Sequence, residues 1–142
     1  MNKLTKFKKA KKPRVLLVDD EEFCISSMRA ILFKLGLDIE NEVDFCMNGE
    51  EAFNLVKFAF ENSIRYKLIF TDFNMPIMNG LEATTKIRDF LEISGQQPII
   101  VGVTGYASSK YHQIGQEAGM DTVIAKPMYV QTLKEILDKY YY

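Results

Sequence analysis

The chain has no tryptophan, one histidine and two cysteines in 142 residues. His112 stands alone in an exposed-looking helical turn, so a Ser-His-Asp or Cys-His mechanism has little to draw on. Cys24 and Cys46 lack any metal-ligand spacing, which disfavours zinc and points to reduced, buried thiols in an intracellular protein. No apolar run approaches the roughly 20 residues that span a bilayer, and the start has no signal-peptide core. Also missing are a P-loop, a glycine-rich dinucleotide fingerprint, internal repeats and low-complexity tracts. The length suits one domain with one sizeable core.

What is present is unevenly charged. Residues 1–14 hold six lysines and one arginine without an acid, so the remainder carries 11 basic against 19 acidic side chains, a net of −8. We read residues 1–12 as a basic tail or linker and 13–142 as the domain. An acidic body repels phosphate backbones, so no nucleic acid is expected as a partner.

The apolar pattern alternates between strand-like and helix-like stretches. "RVLLVDD", "VDFCM", "YKLIFTD", "PIIVGVT" and "TVIA" read as five strands, several of them apolar throughout, as strands covered on both faces are. Between them Met28, Ile31, Leu32 and Leu35, then Ala52, Leu55, Val56 and Ala59, recur at helical spacing. "LEATTKIRDFLEISG" is a third helix, residues 107–118 a weaker fourth, and Val130, Leu133, Leu137 and Tyr140 stripe a fifth. Strand and helix in alternation predict an α/β fold, (βα)5, doubly wound, with a five-stranded parallel sheet. The closing "KYYY" has no reading at this level.

In an open parallel sheet, chemistry collects at the carboxyl ends of the strands. Those ends hold Asp19 and Asp20, then Asp72, then Thr104, then Lys126; Asn48-Gly49, at the end of the second strand, offers nothing comparable. Three neighbouring carboxylates repel, and burial worsens the repulsion. A hard divalent cation relieves it: Mg²⁺ prefers oxygen ligands and commonly uses one or two carboxylates plus phosphate. Lys126 adds a mobile positive charge and Thr104 a hydrogen-bond donor, both suited to phosphoryl oxygens. Asp72 can then act as an acyl-phosphate nucleophile. Each residue also has a plainer reading: Asp19-Asp20 as a helix N-cap pair, Asp72 as a turn former, Thr104 as a strand residue, Lys126 as a solvated lysine. Glu21-Glu22 suit the positive end of the first helix.

The segments "VLLVDDEE", "LIFTDFNMPIMNG", "PIIVGVTG" and "EAGMDTVIAKP", in this order and spacing, resemble the receiver (response-regulator) domain of two-component phosphorelays, over residues 13 to 140. The resemblance implies a flavodoxin-like strand order 2-1-3-4-5. It implies that Asp72 is the phosphoacceptor, and that Asp19, Asp20, Asp72 and the main-chain carbonyl of Asn74 hold Mg²⁺, with Mn²⁺ able to substitute. It makes Thr104 the switch hydroxyl and Lys126 the conserved-type lysine, with Pro127 following through a cis bond. Pro76 and Gly80 fit the loop beneath the acceptor. "EAGMD" and "AKP" look most like receivers of hybrid sensor histidine kinases. The implied partners are a histidine kinase or a histidine phosphotransfer protein, docking near Phe23. The setting would be cytoplasmic, free-standing or as part of a membrane-attached kinase, and the state a monomer or weak dimer. The domain would be a phosphoacceptor that assists its own phosphorylation and dephosphorylation rather than an enzyme. Two alternatives stay open: a non-phosphorylated receiver-like interaction module, and a metal-dependent phosphatase forming its own aspartyl-phosphate. One position departs from the family pattern. Receivers usually carry Phe or Tyr three residues before the lysine, and here that residue is Val123, which leaves the route of conformational output in question.

Overall fold

Five parallel strands run in the order β2-β1-β3-β4-β5. They are β1 (Arg14–Val18), β2 (Val43–Cys46), β3 (Tyr66–Asp72), β4 (Ile99–Thr104) and β5 (Thr122–Ala125). The computed structural model describes residues 14–106 and 108–142; the basic tail expected over residues 1–12 lies outside them. The helices are α1 (Glu22–Lys34), α2 (Ile39–Glu42), α3 (Gly49–Glu61), α4 (Gly80–Leu91), α5 (Ser109–Ala118) and α6 (Val130–Tyr140). The single-turn α2 escaped the sequence pattern, which is too short there to show a period. Among the described residues no helix is long and apolar enough to cross a membrane.

Alternate strand residues point to opposite faces, and each face buries its own core. Val15, Leu17, Leu68, Phe70, Val101 and Val103 meet Ile25, Met28 and Leu32 of α1 and Leu133, Ile136 and Leu137 of α6. Leu16, Val18, Ile69 and Ile100 meet the apolar stripes of α3 and α4, with Tyr111 and Ile114 of α5 packed against them. Burying each such aliphatic side chain contributes about 1.5–3 kcal/mol, so the two-sided sheet is the main source of cohesion.

Two glycines stop helices as expected of the left-handed region. Gly36, at φ 98°, follows α1, and Leu37 N–H donates to the Leu32 carbonyl at 3.0 Å. Gly119, at φ 111°, ends α5, with Met120 N–H donating to Gly115 at 3.0 Å. Both are Schellman-type ends that satisfy otherwise orphaned carbonyls.

One of the unexplained C-terminal tyrosines, Tyr141, finds a role at the amino ends of the strands. Tyr141 is buried, and its hydroxyl donates to the Glu42 carboxylate at 2.6 Å. Beside it, Arg14 is fully buried and makes a two-pronged contact with Asp44, at 2.7 and 2.6 Å, while also donating to the Asn41 carbonyl. Tyr66 donates its hydroxyl to the same Asp44 at 2.6 Å.

Candidate functional site at the sheet switch point

The strand order reverses between β1 and β3, and that crevice is where ligands of open α/β sheets bind. Register puts Val18 beside Thr71 and Asp72 beside Val103, so Asp19 and Asp72 leave the sheet at one level. The carboxylate oxygens of Asp19, Asp20 and Asp72 lie within 4.8 Å of one another. Asp19 and Asp72 are buried and Asp20 is exposed, so the cluster is walled on one side and open on the other. Lys126 enters from the end of β5, with Nζ 3.0 Å from Asp19 and 3.3 Å from Asp72. Its amide donates to the Thr104 carbonyl at 2.8 Å, tying the lysine to the end of β4. Thr104 is buried beside it, and its Oγ1 accepts from Tyr106 N–H at 3.1 Å. The Lys126-Pro127 bond is cis. Residues from four strand ends therefore converge as expected, and the helix-cap reading of Asp19 fails in detail. Glu21 stands at the N-cap position, and Asp19 Oδ1 accepts from Glu21 N–H at 2.9 Å.

The electrostatics are unbalanced. Among the described residues Lys126 is the ammonium paired within this cluster, and it reaches two of the three carboxylates, Asp19 and Asp72. Burial pushes the Asp72 carboxyl above its ordinary value and Asp19 adds to the push, against the pull of Lys126 and the Phe73 amide. Burial works against the Lys126 charge as well, but the hydrogen bond to Asp19 and the field of Asp72 outweigh it and hold the pKa above that of an ordinary lysine. The site is short of positive charge. An all-oxygen donor set with one face open to water fits a hard divalent cation such as Mg²⁺. Cys24 and Glu21 also approach Asp19, but burial and Asp19 push the Cys24 thiol up, away from the thiolate a soft metal needs. Cys24 is only half-buried, and it and Cys46 are free thiols.

The loop after Asp72 is held by backbone contacts. Met78 N–H donates to the Pro76 carbonyl at 2.7 Å across Ile77, whose φ of 71° is strained for a β-branched residue. Gly80 N–H donates to the Phe73 carbonyl at 3.0 Å, and a Cβ at residue 80 would lie 1.9 Å from the Asp72 carbonyl oxygen. Only glycine permits that approach. Asn74, exposed, lies two residues beyond Asp72 at the head of the loop. Gly49 was passed over in the sequence, yet its N–H donates to the Met78 carbonyl at 2.9 Å, and a Cβ there would lie 2.6 Å from that oxygen. The available signal was a glycine opening a helix, where the residue is otherwise costly. Phe23 is 81% exposed at the rim of a cavity of about 350 Å³, alongside Cys24, Met28, Lys126 and Met128.

This arrangement has clear relatives. The response regulator receiver domain profile matches residues 15–138. Hybrid signal transduction histidine kinase F of Dictyostelium discoideum is 34% identical over 131 residues, covering 91% of this chain but 11% of that protein. Two-component response regulator 24 of Arabidopsis thaliana is 34% identical over 124 residues, covering 87% of this chain and 81% of its own length. The chain thus spans a small part of the hybrid kinases it matches. Among solved structures, the receiver domain of an Arabidopsis thaliana histidine kinase complexed with Mg²⁺ has a TM-score of 0.76 at 29% identity, covering 92% of each chain. A Saccharomyces cerevisiae response-regulator receiver domain, co-crystallised with a histidine phosphotransfer signaling protein, has a TM-score of 0.77 at 26% identity. That match covers 91% of this chain and 88% of the other.

Proposed function

The chain belongs to the response regulator receiver domain family, and from that premise we propose that Asp72 accepts a phosphoryl group from a phosphohistidine on a partner protein, with Mg²⁺ bound beside it. The observation that carries this reading is the trio of carboxylates within 4.8 Å of one another, of which Lys126 pairs with Asp19 and Asp72. Asp19, Asp20, Asp72 and the main-chain carbonyl of Asn74 hold the ion, and Mn²⁺ substitutes for it. Bound there, the ion supplies positive charge to the acceptor carboxylate and to the phosphoryl oxygens.

The chain's own residues do the rest. Phe73 N–H donates to Asp72 Oδ1 at 2.8 Å and fixes the carboxylate plane. Asp72 attacks phosphorus in line, the O–P bond forms as the N–P bond of the donor breaks, and the electron pair leaves with the imidazole nitrogen, which takes up a proton. Lys126 follows a phosphoryl oxygen as a point charge, and the Thr104 hydroxyl turns to donate to another. Gly80 and Pro76 keep the loop beneath the acceptor in place, and Pro127 directs the lysine. The partner is a histidine kinase or histidine phosphotransfer protein that docks over Phe23 and the adjoining cavity. The domain works in the cytoplasm as a monomer or weak dimer and is a phosphoacceptor rather than an enzyme. Asn74 has no carboxyl to serve as the general acid a phosphatase would want near Asp72.

The test is labelling by acetyl phosphate with Mg²⁺ present and with chelator. One phosphoryl group per chain is expected, labile to mild alkali as an acyl phosphate is, lost in chelator and lost in Asp72→Asn. Undiminished, alkali-stable labelling in Asp72→Asn would falsify the assignment.

A further inference from the structure

Asn48 and Gly49, at the end of β2, carry no charge, yet they reach the site through the backbone. Asn48 caps α3: its Oδ1 accepts from Glu51 N–H at 2.9 Å, and the Glu51 carboxylate accepts from Met47 N–H at 3.2 Å. The Gly49 N–H is the first of the helix and has no acceptor within it. It donates instead to the Met78 carbonyl at 2.9 Å, in the loop that follows Asp72. Behind this cap Ala52, Leu55, Val56 and Ala59 are buried, so α3 is a fixed platform and the loop is the part that yields.

The loop runs from Phe73 to Gly80 and closes at its base where Gly80 N–H meets the Phe73 carbonyl. Between those ends Ile77 holds φ 71°, which a β-branched residue keeps only where its surroundings impose it. Two hydrogen bonds adjoin it: Met78 N–H to the Pro76 carbonyl, and Gly49 N–H to the Met78 carbonyl. The second comes from outside the loop. A Cβ at residue 49 would lie 2.6 Å from the Met78 carbonyl oxygen, 2.8 Å from that of Asn79 and 3.0 Å from the Ala83 Cβ. With α3 fixed on one side and the loop closed at its base, the displacement falls on residues 74–78, and so on Asn74. The acceptor is spared, because Asp72 is paired within the sheet and its Oδ1 is held by Phe73 N–H.

We propose that Gly49 is a positioning residue for the metal site, acting through Met78 on the main-chain carbonyl of Asn74. It sets how tightly Mg²⁺ is held, and it leaves transfer at saturating ion to Asp72, Lys126 and Thr104. The proposal rests on the Mg²⁺-dependent phosphoacceptor reading. The coupling runs both ways: if the Gly49–Met78 contact favours the ion, the bound ion strengthens that contact by the same factor.

The experiment is calorimetric titration of the whole chain with Mg²⁺, in wild type, Gly49→Ala and Tyr141→Phe. Gly49→Ala should raise the dissociation constant about tenfold, as the loss of an outer contact to a metal site does. Tyr141→Phe weakens the opposite end of the strands and should bind as wild type does, which separates affinity from stability. In labelling by acetyl phosphate, Gly49→Ala should need about ten times more Mg²⁺ for half-maximal rate and reach the wild-type rate at saturation. Hydrogen exchange on wild type needs no substitution: saturating Mg²⁺ should slow exchange of the Gly49 amide. An unchanged dissociation constant in Gly49→Ala, a rate that saturating Mg²⁺ fails to restore, or Gly49 exchange indifferent to Mg²⁺ would each overturn the proposal and leave Asp72 as acceptor. Should Gly49→Ala fail to fold, the exchange result decides alone. Absence of Mg²⁺ binding in wild type would overturn both this proposal and the metal-dependent reading beneath it.

Discussion

At the amino ends of the strands Arg14 is fully buried, and Asp44, the Asn41 carbonyl and the Tyr66 hydroxyl on Asp44 surround it with partners. At the carboxyl ends Asp19 and Asp72 are also buried, but both lean on Lys126 while Asp20 sits within 4.8 Å of them. Both ends bury charge; one completes its own set of partners, and the other leaves room for a cation and an anion from solution. A buried ion set that is internally satisfied fixes geometry, whereas one left short is a binding site. The difference also explains why the C-terminal Tyr141 is drawn into the first end, where Glu42 accepts its hydroxyl and Lys67 donates to its carbonyl.

Breaking the satisfied end should have the largest effect. Arg14→Met leaves the largely covered Asp44 carboxylate, 12% exposed, without its guanidinium and should cost about 3–5 kcal/mol in urea unfolding, as broken buried pairs do. A loss under about 1 kcal/mol would mean that solvent reaches this end freely. Next in size is Tyr141→Phe, which removes a donor from the buried Glu42 carboxylate and should cost about 1–3 kcal/mol. Neither change should alter labelling at Asp72, because the network lies at the opposite end of the strands.

Breaking the unsatisfied end should act in the other direction. Burial raises the Asp72 pKa in the folded state, so the folded chain binds that proton more readily than the unfolded chain does. The stability from this group is therefore full below the ordinary value of 3.8 and is lost as pH rises through the folded pKa. Asp72→Asn, neutral at every pH, should be more stable than wild type in chelator at pH 7, by about 1 kcal/mol on the scale of replaced buried charges. The gain should shrink toward pH 4, and adding Mg²⁺ should stabilise wild type more than the variant. A destabilised variant at pH 7 would show that the three charges are already balanced. The smallest effect belongs to the exposed Lys134–Asp138 pair on α6. Lys134→Gln should leave the melting temperature unchanged within error.

Much of this is legible in the sequence. The apolar strands, the helical stripes and the placement of Asp19, Asp72, Thr104 and Lys126 at strand ends all follow from period and order, which are local properties. Gly80 could be flagged as a close approach from its place in the loop, though not that its neighbour is the acceptor's own carbonyl. Gly49, Tyr106 and Tyr141 could not be assigned. Each acts through a contact with a residue distant in the chain or around a turn, and no periodicity marks it. Cys24, expected to be buried, is half-exposed because α1 turns that side toward the cavity by the site.

The sequence alone determined an alternating α/β chain with an acidic, lysine-bearing edge, because side-chain period and strand-end position are written residue by residue. Only the tertiary structure decided which end of the sheet is electrically complete. That depends on distances between segments that meet only when β1, β3, β4 and β5 lie side by side.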